Sequence, residues 1–272
     1  MARVLLFSAS EMTTFGAILT SPAQPVALGT SRTVLGRRHA LLDPAGHVRG
    51  GLPGFPPSAA VVLISPQMGA KFAQFLIELE PQASGGAEPG GIESFFFSLA
   101  GDAAVDLDGR SFSLSSGGFL FIPAGPGWIL RAGTSGLRAV LFQKNYVPHP
   151  GAPGPAPVVG RADPTAAQPF LGDPDALLQT FLPESPAYDM AVNLFRFRPG
   201  AALPFVETHV MEHGLCMLEG RGIYRLEDSW YPVRAGDAIW MAPYCPQWFA
   251  ALGPAPASYL YYKDMARHPL SG

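Results

Sequence analysis

Two stretches of the chain can be laid one beneath the other. FSLAGDAAVDLDGRSFSLSSGGFLFIPAGPGW (Phe97 to Trp128) matches MLEGRGIYRLEDSWYPVRAGDAIWMAPYCPQW (Met217 to Trp248), with Gly101 under Gly220, Gly117 under Gly236, Pro123 under Pro243 and Trp128 under Trp248. The displacements are 119, 119, 120 and 120 residues, so one inserted residue reconciles them. Further on, FQKNYVP lies under YYKDMARHP, which sets Lys144 under Lys263. A repeat of this length restricts the 272-residue chain to two copies of one supersecondary unit of about 120 residues.

Each copy consists of short apolar runs separated by glycine, proline and aspartate turns, the pattern of an all-β sandwich or barrel. In the second copy strands are expected at 215–218, 223–226, 230–233 and 238–241, read in order as a β-meander. With 31 Gly, 29 Pro and 14% charged residues, the composition suits a turn-rich β protein better than a helical bundle. PHPGAPGPAPVVGRADP (Pro148 to Pro164) is too rich in proline and glycine for a regular element to be expected. The expected organisation is therefore a first β-barrel over 1–150, a linker over 151–164 and a second β-barrel over 165–272.

The second copy carries the chemistry. The chain has six histidines, and two of them, His209 and His213, stand beside Glu207 in FVETHVMEHG, interleaved with apolar residues. Imidazole and carboxylate groups lose hydration on burial, so three together call for a partner that offsets the loss, and a metal ion is the obvious one. The spacing would also put the two histidines on one helical face, but Pro204, Thr208, Val210 and Gly214 favour an extended strand. There Glu207, His209 and His213 (i, i+2, i+6) point to one side. Gln247, in the loop APYCPQW, is the candidate fourth ligand. Two imidazoles, a carboxylate and an amide oxygen suit Mn²⁺ or another octahedral ion better than a closed structural zinc site. In the first copy Ser94 lies under His213 and Gly127 under Gln247, so only the second copy is equipped. Alternation places Tyr259, Tyr261 and Lys263 on one strand face, as for a lysine projecting into a barrel that binds an anion. Cys216 and Cys245 lie in apolar surroundings and read as small core residues, with a disulfide left open.

A formal net charge of −3 and the lack of a Lys/Arg run argue against nucleic acid as a partner. No stretch approaches the roughly 18 apolar residues of a membrane span. The apolar run of MARVLLFSAS, Val4 to Phe7, is shorter than a usual signal-peptide core, so the segment reads as uncleaved, and the expected compartment is the cytoplasm.

The glycine-punctuated β unit with metal-ligand types on its first strands resembles the cupin superfamily, and two units in one chain look like a bicupin. More specifically, ETHVMEHG, LEGRGIYRLEDSWYPVRAGDAIWMAPYCPQW and YLYYKDMARHPL are similar to the (S)-ureidoglycine aminohydrolase family. The likeness extends more loosely over SRTVLGRRHALLDPAGHVRGGLPGF and GGIESFFFSLAG. This resemblance implies two jelly-roll-like barrels, Mn²⁺ bound by Glu207, His209, His213 and Gln247, and a pocket lined by Tyr224, Tyr259 and Lys263. It also implies a homo-oligomer, and replacement of the amine of (S)-ureidoglycine by hydroxyl in purine-ureide breakdown. Glu207 and Lys263 are the expected catalytic residues, with Glu207 the first choice for the base. Two other readings stay open here: dioxygen chemistry on iron, which two-histidine cupin sites also support, and a barrel that only holds a small molecule.

Overall fold

The computed structural model of the protein describes residues 31–265. The readings of MARVLLFSAS and of ARHP at the end of the repeat lie outside them. In chain order the strands are β1 (Val34–Leu35), β2 (His39–Leu42), β3 (Arg49–Gly50), β4 (Ala60–Ile64), β5 (Ala73–Leu79), β6 (Ser84–Ala87), β7 (Ile92–Leu107), β8 (Arg110–Ser115), β9 (Gly118–Ile122) and β10 (Trp128–Asn145). They continue as β11 (Val158–Arg161), β12 (Gln168–Phe170), β13 (Asp173–Thr180), β14 (Met190–Phe197), β15 (His213–Glu219), β16 (Arg221–Leu226), β17 (Ser229–Arg234), β18 (Ala238–Met241), β19 (Gln247–Ala251) and β20 (Ala257–Asp264). Helix among the described residues is confined to three 3-10 turns, Pro44–Gly46, Pro66–Met68 and Pro164–Ala166, each opened by a proline whose missing N–H is no loss at a first turn. The all-β expectation holds, and no described helix is long and apolar enough to cross a membrane.

The strands form a nine-stranded sheet around β7 and β10, an eight-stranded sheet in the order β1-β2-β18-β15-β20-β14-β13-β12, and a three-stranded sheet β17-β16-β19. The described residues form three apolar cores. One lies inside the nine-stranded sheet, which folds over itself (Ile77, Phe96, Val105, Trp128). A second fills the space between the eight- and three-stranded sheets (Phe197, Leu226, Phe249). The third joins the nine-stranded to the eight-stranded sheet and is rich in stacked aromatic rings (Phe72, Phe142, Phe181, Tyr262).

The expected strands are present, but they do not form a meander. β16 pairs with β17, while β15 pairs with β18 and β20. The segment is one long hairpin folded over, bent at Gly220 (φ 71°) and Gly236 (φ 93°). The first copy folds alike: β7 pairs with β8 along one half and β9 along the other, with its bend at Gly101 (φ 76°). A Cβ at Gly220 would lie 2.2 Å from the Pro256 carbonyl oxygen, and one at Gly101 lies 2.1 Å from that of Gly136. The paired glycines mark the points where one strand passes from sheet to sheet, a close backbone approach in a left-handed conformation that a side chain would obstruct.

Strand pairing also locates the insertion. Trp128 pairs with Leu107 as Gln247 pairs with Leu226, whereas Gln143 pairs with Ser94 as Lys263 pairs with His213. The extra residue therefore falls in the turn before β20. The structural counterpart of Gln247 is Trp128 rather than Gly127, and that of Lys263 is Gln143 rather than Lys144; matches of like residues had pulled the alignment one position off. Ser94 is the counterpart of His213, as expected.

Two strands cross the division expected at the linker. β2 pairs with β18 of the second copy, and β11, inside the stretch expected to hold no regular element, pairs with β9 of the first. Val158 and Val159 supply the extended, β-branched residues that the surrounding prolines lack. Cys216 and Cys245 are buried free thiols.

Candidate active site

A cavity of about 160 Å³ opens between the eight- and three-stranded sheets, and every site residue expected from the sequence lines it: Glu207, His209, His213, Tyr224, Gln247, Tyr259 and Lys263. Strand alternation on β20 is as expected. Tyr259, Tyr261 and Lys263 face the cavity, while Leu260 and Tyr262 turn to the core between the two large sheets. A larger cavity of about 1010 Å³ opens in the nine-stranded sheet, lined by several glycines with Ser94, Trp128 and Gln143, and among the described residues no imidazole faces it. At the counterpart of the His213–Lys263 pair, the Gln143 amide donates to Ser94 Oγ over 3.1 Å.

Glu207, His209 and His213 do not share one strand. Only His213 lies in a strand, β15; Glu207 forms an isolated bridge to Gln247, and His209 stands in irregular backbone between them. The physical reason is that the segment changes partners. At Glu207 it exchanges two backbone hydrogen bonds with Gln247 (2.8 and 2.9 Å), at the edge of the three-stranded sheet. By His213 it has joined the eight-stranded sheet, opposite Lys263. Between these anchors the His209 carbonyl accepts from the Tyr244 N–H (2.7 Å), so the loop that carries Gln247 is tied to the histidine segment.

The two imidazoles lie nearly parallel, 26° between planes and 4.8 Å between centroids, with Nε2 atoms 3.2 Å apart, and the Gln247 amide lies 3.4 Å from His209 Nε2. His209 Nδ1 is 3.1 Å from the Met211 carbonyl oxygen. A carbonyl only accepts, so Nδ1 carries the hydrogen and the Nε2 lone pair of neutral His209 is directed at His213 and Gln247. Burial holds both histidines neutral, His213 well below its ordinary pKa, with His209 and then Lys263 adding to the effect there. The Glu207 carboxyl is pushed up by burial and pulled back by the Lys263 ammonium. Tyr224 and Tyr259 are held as phenols by burial. Among the described residues no three His, Cys, Asp or Glu side chains are grouped closely enough to hold a metal. The donor set nonetheless fits one: neutral imidazoles, one with its outer nitrogen fixed by a carbonyl, a carboxylate and an amide around a small cavity are what a divalent ion with open positions requires.

Sequence reasoning missed part of the lining. Phe170, Leu178 and Phe195 come from β12, β13 and β14, ahead of the ligand segment in sequence, and complete the apolar wall. It also missed Arg38 and His39. Arg38 Nε donates to Glu227 Oε1 (2.7 Å) and its Nη1 to the Tyr244 carbonyl (3.4 Å), while His39 Nδ1 lies 2.9 Å from Glu227 Oε2. These residues brace the Gln247 loop from a strand that belongs to the first copy in sequence.

The cupin domain model matches residues 193–262, which contain most of the cavity. Over 247 residues the chain is 39% identical to an (S)-ureidoglycine aminohydrolase of Arabidopsis thaliana, covering 89% of this chain and 80% of that protein. It is 36% identical over 236 residues to the (S)-ureidoglycine aminohydrolase of Escherichia coli (strain K12), covering 84% and 88%. The crystal structure of the E. coli protein Ylba superposes with a TM-score of 0.76 at 32% identity, covering 88% of this chain and 96% of that one.

Proposed function

The chain belongs to the (S)-ureidoglycine aminohydrolase family, and from that membership we propose that the cavity between its eight- and three-stranded sheets converts (S)-ureidoglycine and water into (S)-ureidoglycolate and ammonia, with Mn²⁺ held by Glu207, His209, His213 and Gln247. The observation that carries the residue assignment is the pairing of the directed His209 Nε2 lone pair with a lysine in the same small cavity. A metal donor set and an anion partner would thereby meet on one substrate.

Bound there, the ion would supply charge that orients the substrate's donor atoms and stabilises negative charge as it develops. The rest falls to the chain. Lys263 offers its ammonium to the substrate carboxylate, and the Tyr224 and Tyr259 phenols, kept protonated by burial, donate or accept at the ureido group. Attachment at carboxylate, amine and ureido group leaves a single face of the reacting carbon open, which selects the S enantiomer. In the reaction the C–N bond breaks, a water oxygen takes nitrogen's place, and the proton that the water loses is the one the departing amine needs. We assign to the Glu207 carboxylate the transfer of that proton from one to the other. The apolar wall of Phe170, Leu178 and Phe195 keeps bulk water from the site. The product belongs to the ureide branch of purine breakdown.

The test is ammonia release from freshly generated (S)-ureidoglycine by chelator-stripped and Mn²⁺-reloaded protein, beside His213→Ala. Release that returns with Mn²⁺ and is lost in the variant supports the proposal. Equal release by stripped protein and variant would refute it.

A further inference from the structure

Among the described residues the nine-stranded sheet has no ligand set of its own, yet the segment that leads into its strand β5 touches the chain around His213 at three points. Glu212, the residue before His213, is fully buried, and its two carboxylate oxygens accept from the Lys71 backbone N–H (2.8 Å) and from the Trp240 indole N–H (3.3 Å). Its own N–H donates to Asp264 Oδ1 (2.7 Å), the residue after Lys263. Gly214, the residue after His213, lies against the Phe72 ring so closely that a Cβ there would be 2.5 Å from it. One residue further, the Leu215 carbonyl accepts from Gln74 Nε2 over 3.2 Å, with the Gln74 side chain fully buried. Alternation along β15 explains the pattern. His213 and Leu215 face the cavity, so Glu212 and Gly214 face the neighbouring sheet, where Trp240 and Tyr262 flank Gly214 across the ladder and Phe72 stacks on Tyr262 at 4.2 Å.

We propose that the segment Lys71–Gln74 is a buttress for the active site: by gripping Glu212, Gly214 and Leu215 it sets the position of His213 and, through Asp264, of Lys263, with Glu212 and Gln74 as the positioning residues. This inference rests on the reading of His213 as a metal ligand and gives the ligand-free half of the chain its part in the reaction. The interaction pattern is hard to replace. Both Glu212 oxygens face N–H donors, so in Glu212→Gln the amide NH₂ must oppose one of them whichever way it is turned. Gln74→Met keeps the volume and removes the donor to Leu215.

The test measures Mn²⁺ dissociation constants by competition with a chelator, together with thermal midpoints, for wild type, Glu212→Gln, Gln74→Met and Val140→Ala. Val140 is buried in the same core between sheets but lies on β10, away from β15. Groups that orient metal ligands from behind change affinity by about 10- to 100-fold when altered, and that weakening is expected in Glu212→Gln and Gln74→Met. Val140→Ala should lower the midpoint and leave the affinity unchanged. Wild-type Mn²⁺ affinity in Gln74→Met, the milder change, would overturn the buttress, as would equal weakening in Val140→Ala. Absence of Mn²⁺ binding by the wild type would instead overturn the metal reading, and the buttress with it.

Discussion

Replacing Lys263 by methionine keeps the length of the side chain and removes its positive charge. Lys263 stands opposite His213 on the neighbouring strand and lines the same space as Glu207, Tyr224 and Tyr259. A charge-assisted hydrogen bond contributes about 1.5–3 kcal/mol, and 1.4 kcal/mol is tenfold, so loss of the ammonium should lower kcat/KM by about 10- to 150-fold. Because the carboxylate is held in substrate and transition state alike, the loss should appear chiefly as a higher KM. A second signature follows from the site's electrostatics. Burial raises the Glu207 carboxyl and the ammonium opposes that rise, so without the charge the carboxyl pKa moves further up. If Glu207 acts as a carboxylate, the acid limb of the pH profile must then shift to higher pH. Steady-state kinetics of Lys263→Met across the pH range read both effects. An unchanged KM, or an acid limb moved to lower pH, would refute the placement of Lys263 on the substrate carboxylate.

Other expectations concern the frame. Gly220→Ala should destabilise by at least the roughly 1–2 kcal/mol of a left-handed residue, with the Pro256 carbonyl adding to it, and Gly101→Ala should behave alike; urea unfolding at equal m-value checks this. The Asp43 carboxyl is held at about 2, first by the Arg32 backbone N–H, against the model-peptide value of 3.8. A depressed carboxylate stabilises above its unfolded pKa, so this contribution should be complete above pH 4 and disappear as pH falls towards 2. Discounted for the one-third exposed Arg32 partner, it amounts to about 1–2 kcal/mol, so Asp43→Asn should destabilise by about that much at pH 6 and by much less at pH 2 in unfolding measurements. Burial pushes the Cys216 thiol up to about 12 and that of Cys245 to about 11, so neither should react with a thiol reagent until the protein unfolds. Rapid stoichiometric labelling of the native protein would contradict their burial.

Period-2 alternation made the β20 face legible because neighbours in sequence there are also neighbours in function. The glycine pairs marked the strand bends for a similar reason: a left-handed residue at a close approach admits little else. Partner exchange was not legible. Glu207 and His213 reach one cavity while bonded to different sheets, a placement no spacing rule encodes, and a single continuous strand was the wrong route to the right grouping. The pairing of β2 with β18 depends on a contact roughly 200 residues away in the chain. For that reason Arg38, His39 and the Glu212 contacts stayed hidden. The apolar wall was equally silent, since Phe170 and Phe195 look in sequence like any other strand aromatics.

Hydrolytic deamination in a chiral cavity is tested most directly by following the atoms. (S)-Ureidoglycine is turned over by the Mn²⁺-loaded protein in H₂¹⁸O, with ammonia counted and the product's label and handedness determined against spontaneous decay. The expected result is one ammonia per turnover and (S)-ureidoglycolate carrying one ¹⁸O on the reacting carbon. Racemic product, or ammonia formed no faster than by spontaneous decay, would contradict it.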